Sequence, residues 1–106
     1  MGNQELISAL RQFVAERNWL QFHTPENLAK SISIESAELL ELFQWSEPSK
    51  IEEVKDELAD VLTYCMLLAD KYDLDVEKLV LEKLEKTKAK YPVEKSFGRS
   101  EKYDRL

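Results

Sequence analysis

The sequence is poor in the residues that form tight turns, disulfides and zinc sites. Its 106 residues include only 2 Gly, 3 Pro, 1 Cys and 1 His. With so few Gly and Pro residues to form turns, a many-stranded sheet is disfavoured and long helices are favoured. We therefore expect an all-α protein. The single Cys65 has no partner for an internal disulfide. Because it lies in an apolar run, it is expected to be a small buried side chain.

A long hydrophobic run and an excess of basic charge are also missing. The longest nearly apolar run, 61–69, is shorter than the roughly 20 residues that cross a bilayer. The N-terminus lacks the basic start and apolar stretch of a signal peptide. The net charge of -6 argues against unspecific binding to a nucleic-acid backbone. We therefore expect one cytoplasmic domain, residues 1–106, with neither a membrane nor a nucleic acid as partner.

Hydrophobic spacing and start signals predict two helices in the first half of the chain. The first covers about residues 4–17. The second begins at Thr24-Pro25-Glu26, where a hydroxyl N-cap precedes proline at the first helical position. Its apolar periodicity continues to about Trp45, and Ser46-Glu47-Pro48 then breaks the pattern.

Two further helices are predicted in the second half. The third covers about residues 50–72 and begins with the capping box Ser49-Lys50-Ile51-Glu52. Asp75 is expected to cap the fourth helix, residues 76–90. Residues 93–106 are polar and are predicted to be coil, or an arm that becomes ordered on a partner.

The middle of the third helix, 61–69, is apolar nearly all round. Such a helix needs neighbours on most of its sides, and a chain of four helices can hardly surround it alone. We therefore predict that it packs against a second subunit in at least a dimer. A helix buried centrally in a monomer is the alternative.

Two acidic residues of the second helix lie where apolar side chains are expected. On a helical wheel Glu35 falls in the middle of the apolar arc, and Glu38 falls between Leu42 and Trp45. Burying an unpaired carboxylate costs several kcal/mol or more unless it is protonated, paired or bound to a metal ion. The second helix therefore contains candidate metal ligands.

The third helix carries another acidic pair, Glu57 and Asp60, at the same i, i+3 spacing. Glu57 borders the apolar arc, whereas Asp60 lies toward the polar side and is singled out by the spacing. Packed antiparallel, the two helices could place four carboxylates around one small volume. An all-oxygen set favours Mg²⁺ or Mn²⁺ over zinc. The alternative is ordinary surface charge with salt bridges to Lys30 or Lys55.

The order E-x-x-E on one helix and E-x-x-D on the next resembles the MazG-like, all-α nucleoside triphosphate pyrophosphohydrolases. The similarity covers nearly the whole chain and points to their dCTP pyrophosphatase branch, in segments 13–28, 37–45, 57–64 and 90–92. It implies a four-helix MazG-like bundle, completed by subunit association as a homodimer or homotetramer.

The same resemblance implies the reaction. It is the cleavage of a (d)NTP, dCTP or a related deoxynucleotide, between the α- and β-phosphates, releasing a nucleoside monophosphate and pyrophosphate. It also implies a set of residues that both bind Mg²⁺ and act in catalysis, namely Glu35, Glu38, Glu57 and Asp60. Of these, Glu38 is our candidate for the general base or for orienting the attacking water.

Several substrate-binding residues follow from the resemblance as well. Trp19 and Trp45 resemble aromatics that enclose the base, and stacking on an indole is worth about 1–3 kcal/mol. His23 is expected to donate a hydrogen bond to the nucleotide, and Tyr64 to reach the sugar or a phosphate. Thr87 stands where relatives often carry Asn, which leaves the base or sugar preference open. Core packing for each Trp, and a structural role for His23, are the alternatives.

Weaker candidates and competing functions remain at this point. Phe22 is expected to pack in the core, with a place in the base pocket as the alternative. Lys90, Arg99 and Lys102 are candidates for phosphate contacts. Within enzymes, the alternative substrate is phosphoribosyl-ATP or a dUTP-like nucleotide. Outside enzymes, the alternative is a non-catalytic helical interaction module whose acidic residues are merely solvated.

Overall fold

The computed structural model describes residues 2–45 and 50–106, and the regular structure of these residues is entirely helical. This confirms the all-α prediction. No helix within the described ranges is both long and apolar enough to cross a bilayer. The α-helices are α1 (Gly2–Glu16), α2 (Pro25–Glu41), α3 (Ile51–Lys71), α4 (Val76–Lys90) and the short α5 (Val93–Ser96), with 3-10 turns at Leu20–Phe22 and Tyr103–Arg105.

The predicted helix starts agree with the structure where both can be compared. The Thr24 hydroxyl caps α2 by accepting a hydrogen bond from the Asn27 amide at 3.1 Å, and the Asp75 carboxylate accepts one from the Lys78 amide at 3.0 Å. The predicted break at 46–48 and the Ser49 hydroxyl of the capping box lie outside the described residues. Lys50 is the N-cap residue of α3.

The predicted end of α2 at Trp45 is wrong, because the helix ends at Glu41. The amides of Leu42, Phe43 and Gln44 donate to carbonyls three residues earlier, at 2.9–3.2 Å. These are tight turns of the 3-10 type, which often close an α-helix. Apolar spacing continues past Glu41 in the sequence, but the helical backbone does not.

The C-terminal arm is more ordered than predicted. Residues 93–106 contain α5 and a 3-10 turn in place of continuous coil. The Tyr91 hydroxyl accepts a hydrogen bond from the Tyr103 amide at 3.2 Å, and the two rings meet edge to face. These contacts fold the arm back toward the end of α4.

Both α1 and α3 end in a Schellman motif, in which a left-handed residue closes the last turn. Asn18 and Asp73 each have φ of 54°, a conformation that Asn and Asp tolerate better than most residues. The next amides, of Trp19 and Leu74, donate to the carbonyls of Val14 and Ala69 at 3.1 and 2.9 Å. The motif at α1 therefore fixes the backbone of Trp19.

The chain forms two compact units, residues 1–74 and 75–106. In the first unit α2 packs along α3, and α1 also packs on α3. The core contains Val14, Leu28 and Leu67 in one cluster. Because Leu28 meets Leu67 while Glu35 approaches Glu57, α2 and α3 are antiparallel.

One ion pair joins α1 to α3. The Nε atom of Arg11 donates to both carboxylate oxygens of Asp70, at 3.2 and 3.0 Å, and an NH2 group of the same guanidinium contacts this carboxylate. The hydrogen bond from Arg11 is the main cause that holds the pKa of Asp70 below its usual value.

The apolar middle of α3 is only partly covered within the chain. Met66, Leu67 and Ala69 are buried, whereas Leu62 is 53% exposed and Cys65 is also exposed. Within the single chain Cys65 is therefore exposed, contrary to the expectation, because its side of α3 lies away from the core cluster. Packing of this side against a second subunit stays a prediction.

Candidate active site

Three carboxylates meet where α2 passes α3. One oxygen each of Glu35, Glu57 and Asp60 lies within 4.8 Å of the others. We call these three residues the acidic cluster. Glu38 is not part of this compact group, but its carboxyl lies close enough to raise the pKa of Glu35. The antiparallel helices thus bring together three of the four predicted acids, with the fourth directly beside them.

The acidic cluster perturbs the protonation of its own members. The pKa of Glu35 is raised to about 7, first by the hydrogen bond with Glu38, then by burial and by the neighbouring carboxylate charges. Burial is the main cause that raises the pKa of Glu57, and the charges of Glu38 and Asp60 add to it. Ionising all the carboxyl groups of the cluster is therefore energetically unfavourable unless a cation compensates their charge.

The protein supplies no compensating cation to these acids within residues 2–45 and 50–106. Lys30 pairs with Glu26 at 3.0 Å, and Lys55 pairs with Glu52 at 3.5 Å. The alternative of salt bridges from Lys30 or Lys55 to the four acids is therefore wrong.

One oxygen of the acidic cluster lacks any hydrogen bond. Oε2 of Glu57 is buried and has no hydrogen-bond partner among the described residues. A buried carboxylate oxygen without a donor is unfavourable unless a cation approaches it. Carboxylate oxygens at these separations fit a hard divalent cation such as Mg²⁺ or Mn²⁺.

A cleft of about 230 Å³ begins at the acidic cluster, because Asp60 belongs to both. The cleft has a polar side, formed mainly by α3 and His23, and an apolar side formed mainly by α1. Its lining residues are Leu10, Phe13, Val14, Trp19, His23, Asp60, Thr63, Tyr64 and Leu67. Three predicted substrate-binding residues, Trp19, His23 and Tyr64, thus share one cleft with a predicted metal ligand.

Trp19 is held in place through both its ring and its backbone. Its ring meets Phe13 edge to face, with centroids 5.5 Å apart and planes at 80°, while its amide donates to the Val14 carbonyl. The Arg17 guanidinium lies over the Phe13 ring at 3.9 Å. Because Trp19 is still 42% exposed, part of the indole is available to a ligand.

His23 lies between the cleft and a second cavity of about 400 Å³. Burial is the main cause that lowers the pKa of His23, and the charge of Lys71 lowers it further. The imidazole is therefore neutral at physiological pH, with one nitrogen donating and the other accepting.

Comparison with known proteins agrees with this architecture. The sequence model of the MazG-like family matches residues 30–106. The chain belongs to the MazG-like family. This confirms the family resemblance of the two acidic helices.

Three relatives illustrate the similarity of this MazG-like chain to known proteins. Over 105 residues it is 37% identical to dCTP pyrophosphatase 1 of Rattus norvegicus and 36% identical to that of Homo sapiens. These alignments cover 90% of this chain but 62% of each relative. The crystal structure of a pyrophosphatase from Archaeoglobus fulgidus is 44% identical with a TM-score of 0.81, over 87% of this chain and 94% of that one.

Trp45, which was predicted to help enclose the base, lies away from the cleft in the structure. The indole is 87% exposed and does not line the cleft. Because α2 ends at Glu41, the helical wheel does not apply to Trp45. Glu38 lies within α2 and is exposed, and a role for Trp45 at the base stays a prediction.

The remaining MazG-like candidates are exposed or belong to the second unit. Phe22 is 59% exposed, so the expectation of core packing is wrong. In residues 75–106, Thr87 is half-buried and donates its hydroxyl proton to the Lys83 carbonyl at 3.1 Å. Lys90 lies over the Tyr103 ring, while Arg99 pairs with Glu101 at 3.0 Å.

One polar residue of the cleft was missed by sequence reasoning. Thr63 lines the cleft beside Tyr64, although nothing in its local sequence marks it as chemical. The available signal was its spacing, because Asp60, Thr63, Tyr64 and Leu67 lie at i, i+3, i+4 and i+7 and so share one face of α3.

Proposed function

We propose that this MazG-like chain is a nucleoside triphosphate pyrophosphohydrolase, which cleaves between the α- and β-phosphates and releases a nucleoside monophosphate and pyrophosphate. The supporting observation is the acidic cluster at the mouth of an aromatic and apolar cleft, where the described residues place no protein cation on its carboxylates. A cation-bound triphosphate suits the acidic end, and a nucleobase suits the other. The names of the relatives, dCTP pyrophosphatase 1 and a pyrophosphatase, support the same reaction.

The residues proposed to hold the metal are Glu35, Glu57 and Asp60, with Glu38 beside them. Their all-oxygen donor set favours Mg²⁺, with Mn²⁺ as the substitute. The bound cation would neutralise the triphosphate and stabilise the leaving pyrophosphate. The cation would stabilise Glu57 most, because its buried Oε2 has no hydrogen-bond partner in residues 2–45 and 50–106.

The proton chemistry is assigned to Glu38. This carboxyl is exposed and lies beside the acidic cluster, so it can orient a water molecule and accept its proton beside the attacked phosphorus. Glu38→Gln removes the acceptor while preserving the side-chain shape, and it should abolish turnover. Activity close to the wild-type value would contradict this role.

The nucleoside is assigned to the cleft. The exposed part of Trp19 would stack on the base, His23 would donate one hydrogen bond as a neutral imidazole, and Tyr64 would reach the sugar or a phosphate. Trp45 and Thr87 remain proposed substrate contacts from the resemblance. We propose dCTP or a related deoxynucleotide as the substrate, in line with the names of the curated relatives.

A homodimer or homotetramer is proposed as the working form. The supporting observation is the exposed apolar side of α3, where Leu62 and Cys65 are uncovered within the chain. Removing such surface from water on association is favourable.

The test is a panel of nucleotides incubated with the protein and Mg²⁺. It contains all common NTPs and dNTPs, including dUTP, together with phosphoribosyl-ATP, and it measures pyrophosphate and orthophosphate separately. We expect pyrophosphate and the nucleoside monophosphate as primary products, with dCTP among the best substrates. Orthophosphate as the primary product would refute α–β cleavage.

Binding measurements separate an enzyme from an interaction module. A nonhydrolysable dCTP analogue and Mg²⁺ should each raise the thermal midpoint of the protein, because both bind the folded state. Glu53→Gln, an exposed position in the first turn of α3, is the control for loss of one charge. No hydrolysis and no shift with either ligand would favour the module.

A further inference from the structure

Thr63 is a half-buried residue of the cleft whose hydroxyl proton is already used. Its Oγ1 donates to the Ala59 carbonyl one turn earlier on α3, at 2.8 Å. A threonine hydroxyl has one proton and two lone pairs, so this oxygen can offer a ligand only an acceptor. Phosphate oxygens and base carbonyls are also acceptors and cannot be its partners.

Along the face of α3 that contains Thr63, the side chains change from acidic to hydroxyl-bearing to apolar. Glu57 and Asp60 are acidic, Thr63 and Tyr64 carry hydroxyl groups, and Leu67 is apolar. At about 1.5 Å rise per residue, Thr63 lies about 4.5 Å beyond Asp60 along the helix axis, and Leu67 about 10 Å beyond it. A nucleotide shows the same order, from phosphates through the hydroxyl-bearing sugar to the flat base.

We infer that Thr63 is a specificity-determining residue that accepts a hydrogen bond from the 3′-hydroxyl of the nucleotide sugar. The inference rests on the proposed function, which puts the phosphates at the acidic cluster. A position one turn beyond Asp60 then corresponds to the sugar, and the only free donor on a deoxyribose is its 3′-hydroxyl. An exocyclic amino group of the base would lie farther along, beside the apolar lining of Leu67 and Trp19.

The test compares dCTP with its 3′-deoxy analogue ddCTP in the full-length wild type, Thr63→Val and Thr63→Ser. Valine keeps the branched shape without the acceptor, and serine keeps the hydroxyl. We expect the wild type to prefer dCTP in kcat/KM by about fivefold, the size of one neutral hydrogen bond. In Thr63→Val this ratio should fall to about one, whereas Thr63→Ser should retain most of it.

One result would overturn the inference, namely a Thr63→Val enzyme that discriminates between dCTP and ddCTP as the wild type does. If that enzyme also loses its preference for dCTP over dUTP, Thr63 is assigned to the base amine instead of the sugar. Circular dichroism and the thermal midpoint establish that each variant is folded.

A failure of the proposed function would give a different experimental result from a failure of the sugar assignment. If the proposed function is wrong, the wild type itself releases no pyrophosphate from any nucleotide of the panel, and the sugar assignment falls with it. If only the sugar assignment is wrong, the wild type is active and the dCTP to ddCTP ratio is unaffected by Thr63→Val. Binding of nonhydrolysable dCTP and ddCTP analogues gives the same comparison without turnover.

Discussion

A single oxygen, Oε2 of Glu57, shows most clearly why the acidic cluster is suited to bind a cation. It is buried without a hydrogen-bond donor among the described residues, and the charges of Glu38 and Asp60 raise the pKa of the same carboxyl further. A buried polar atom without a hydrogen-bond partner is unfavourable. A cation bound at this position would therefore relieve both the missing hydrogen bond and the repulsion between carboxylates.

Neutralising Glu57 should separate metal binding from intrinsic stability. In Glu57→Gln we expect the metal-free protein to unfold at or above the wild-type temperature, because one charge is removed from the cluster. The stabilisation by Mg²⁺, about 2.7 kcal/mol at a hundredfold excess over Kd in the wild type, should be lost. Thermal unfolding with and without Mg²⁺ measures both effects.

The matched control for this prediction is Glu53→Gln, which removes the same charge one turn earlier on α3, at an exposed position. It should retain the Mg²⁺ response. An Mg²⁺ response of wild-type size in Glu57→Gln would contradict a ligand role for this carboxylate.

Trp19 provides the prediction for the nucleoside end of the cleft. Trp19→Ala removes the stacking surface and should reduce kcat/KM by about tenfold or more, mainly through KM, since a stacked base is worth about 1–3 kcal/mol. Trp19→Phe should recover part of the loss. Steady-state kinetics with dCTP measure the change, and Phe22→Ala, an exposed aromatic outside the cleft lining, serves as control. Equal effects of Trp19→Ala and Phe22→Ala would argue against stacking on Trp19.

At the scale of the helices, local chemistry was predictable and tertiary geometry was not. The caps at Thr24 and Asp75 depend on one side chain and a nearby amide, so sequence was sufficient to find them. The end of α2 at Glu41 was missed, because apolar periodicity continues to Trp45 after the backbone has left the helix. The wheel also placed Glu38 beside apolar residues, whereas its side chain is exposed. A wheel of one helix could not reveal that Asp60 meets Glu35 across α2 and α3.

The left-handed residue that ends α1 sets the backbone position of Trp19 in the cleft. Asn18 has φ of 54° and precedes Trp19, so a β-branched residue there should be destabilising by about 1–2 kcal/mol. We expect this loss in Asn18→Val, and little loss in Asn18→Gly. Urea unfolding measures the free energies, with Glu16→Val in α1 as the control for a β-branched side chain. A loss in Asn18→Gly as large as in Asn18→Val would contradict a backbone origin.

The ion pair between α1 and α3 makes stability depend on pH. The pKa of Asp70 is lowered in the fold, so the pair stabilises the protein above the unfolded-state pKa of about 3.9. This contribution disappears as the pH falls through the folded-state pKa. Asp70→Asn should therefore cost up to about 1 kcal/mol near neutral pH, and its stability should approach that of the wild type at lower pH.

Urea unfolding at a series of pH values tests this dependence on Asp70. Arg11→Lys is the matched variant, because it keeps the positive charge and loses the two-pronged guanidinium geometry. It should fall between the wild type and Asp70→Asn at neutral pH. A stability difference between the wild type and Asp70→Asn that stays constant down to about pH 2 would show that the charge of Asp70 is not the cause.

At the scale of the whole molecule, the apolar run of α3 divides into two sides with different surroundings. Leu67 is buried in the core cluster, while Leu58, Leu62 and Cys65, at i, i+4 and i+7, are exposed. The side of Leu67 packs on Val14 of α1 and Leu28 of α2. A second copy of the chain that covered the exposed side would remove its apolar surface from water, which is the basis of the proposed oligomer.

A charge in the middle of that exposed side should dissociate the oligomer. Leu62→Glu would have to bury an unpaired carboxylate in a subunit interface, which costs several kcal/mol, whereas the free chain would present it to water. We expect light scattering to give an oligomer for the wild type and a monomer for Leu62→Glu, with unchanged helical circular dichroism. Val93→Glu, an equally drastic change at an exposed residue of α5, should leave the mass of the assembly unchanged. If Leu62→Glu retains the wild-type mass, α3 does not form the interface, and the proposed oligomer must use another surface.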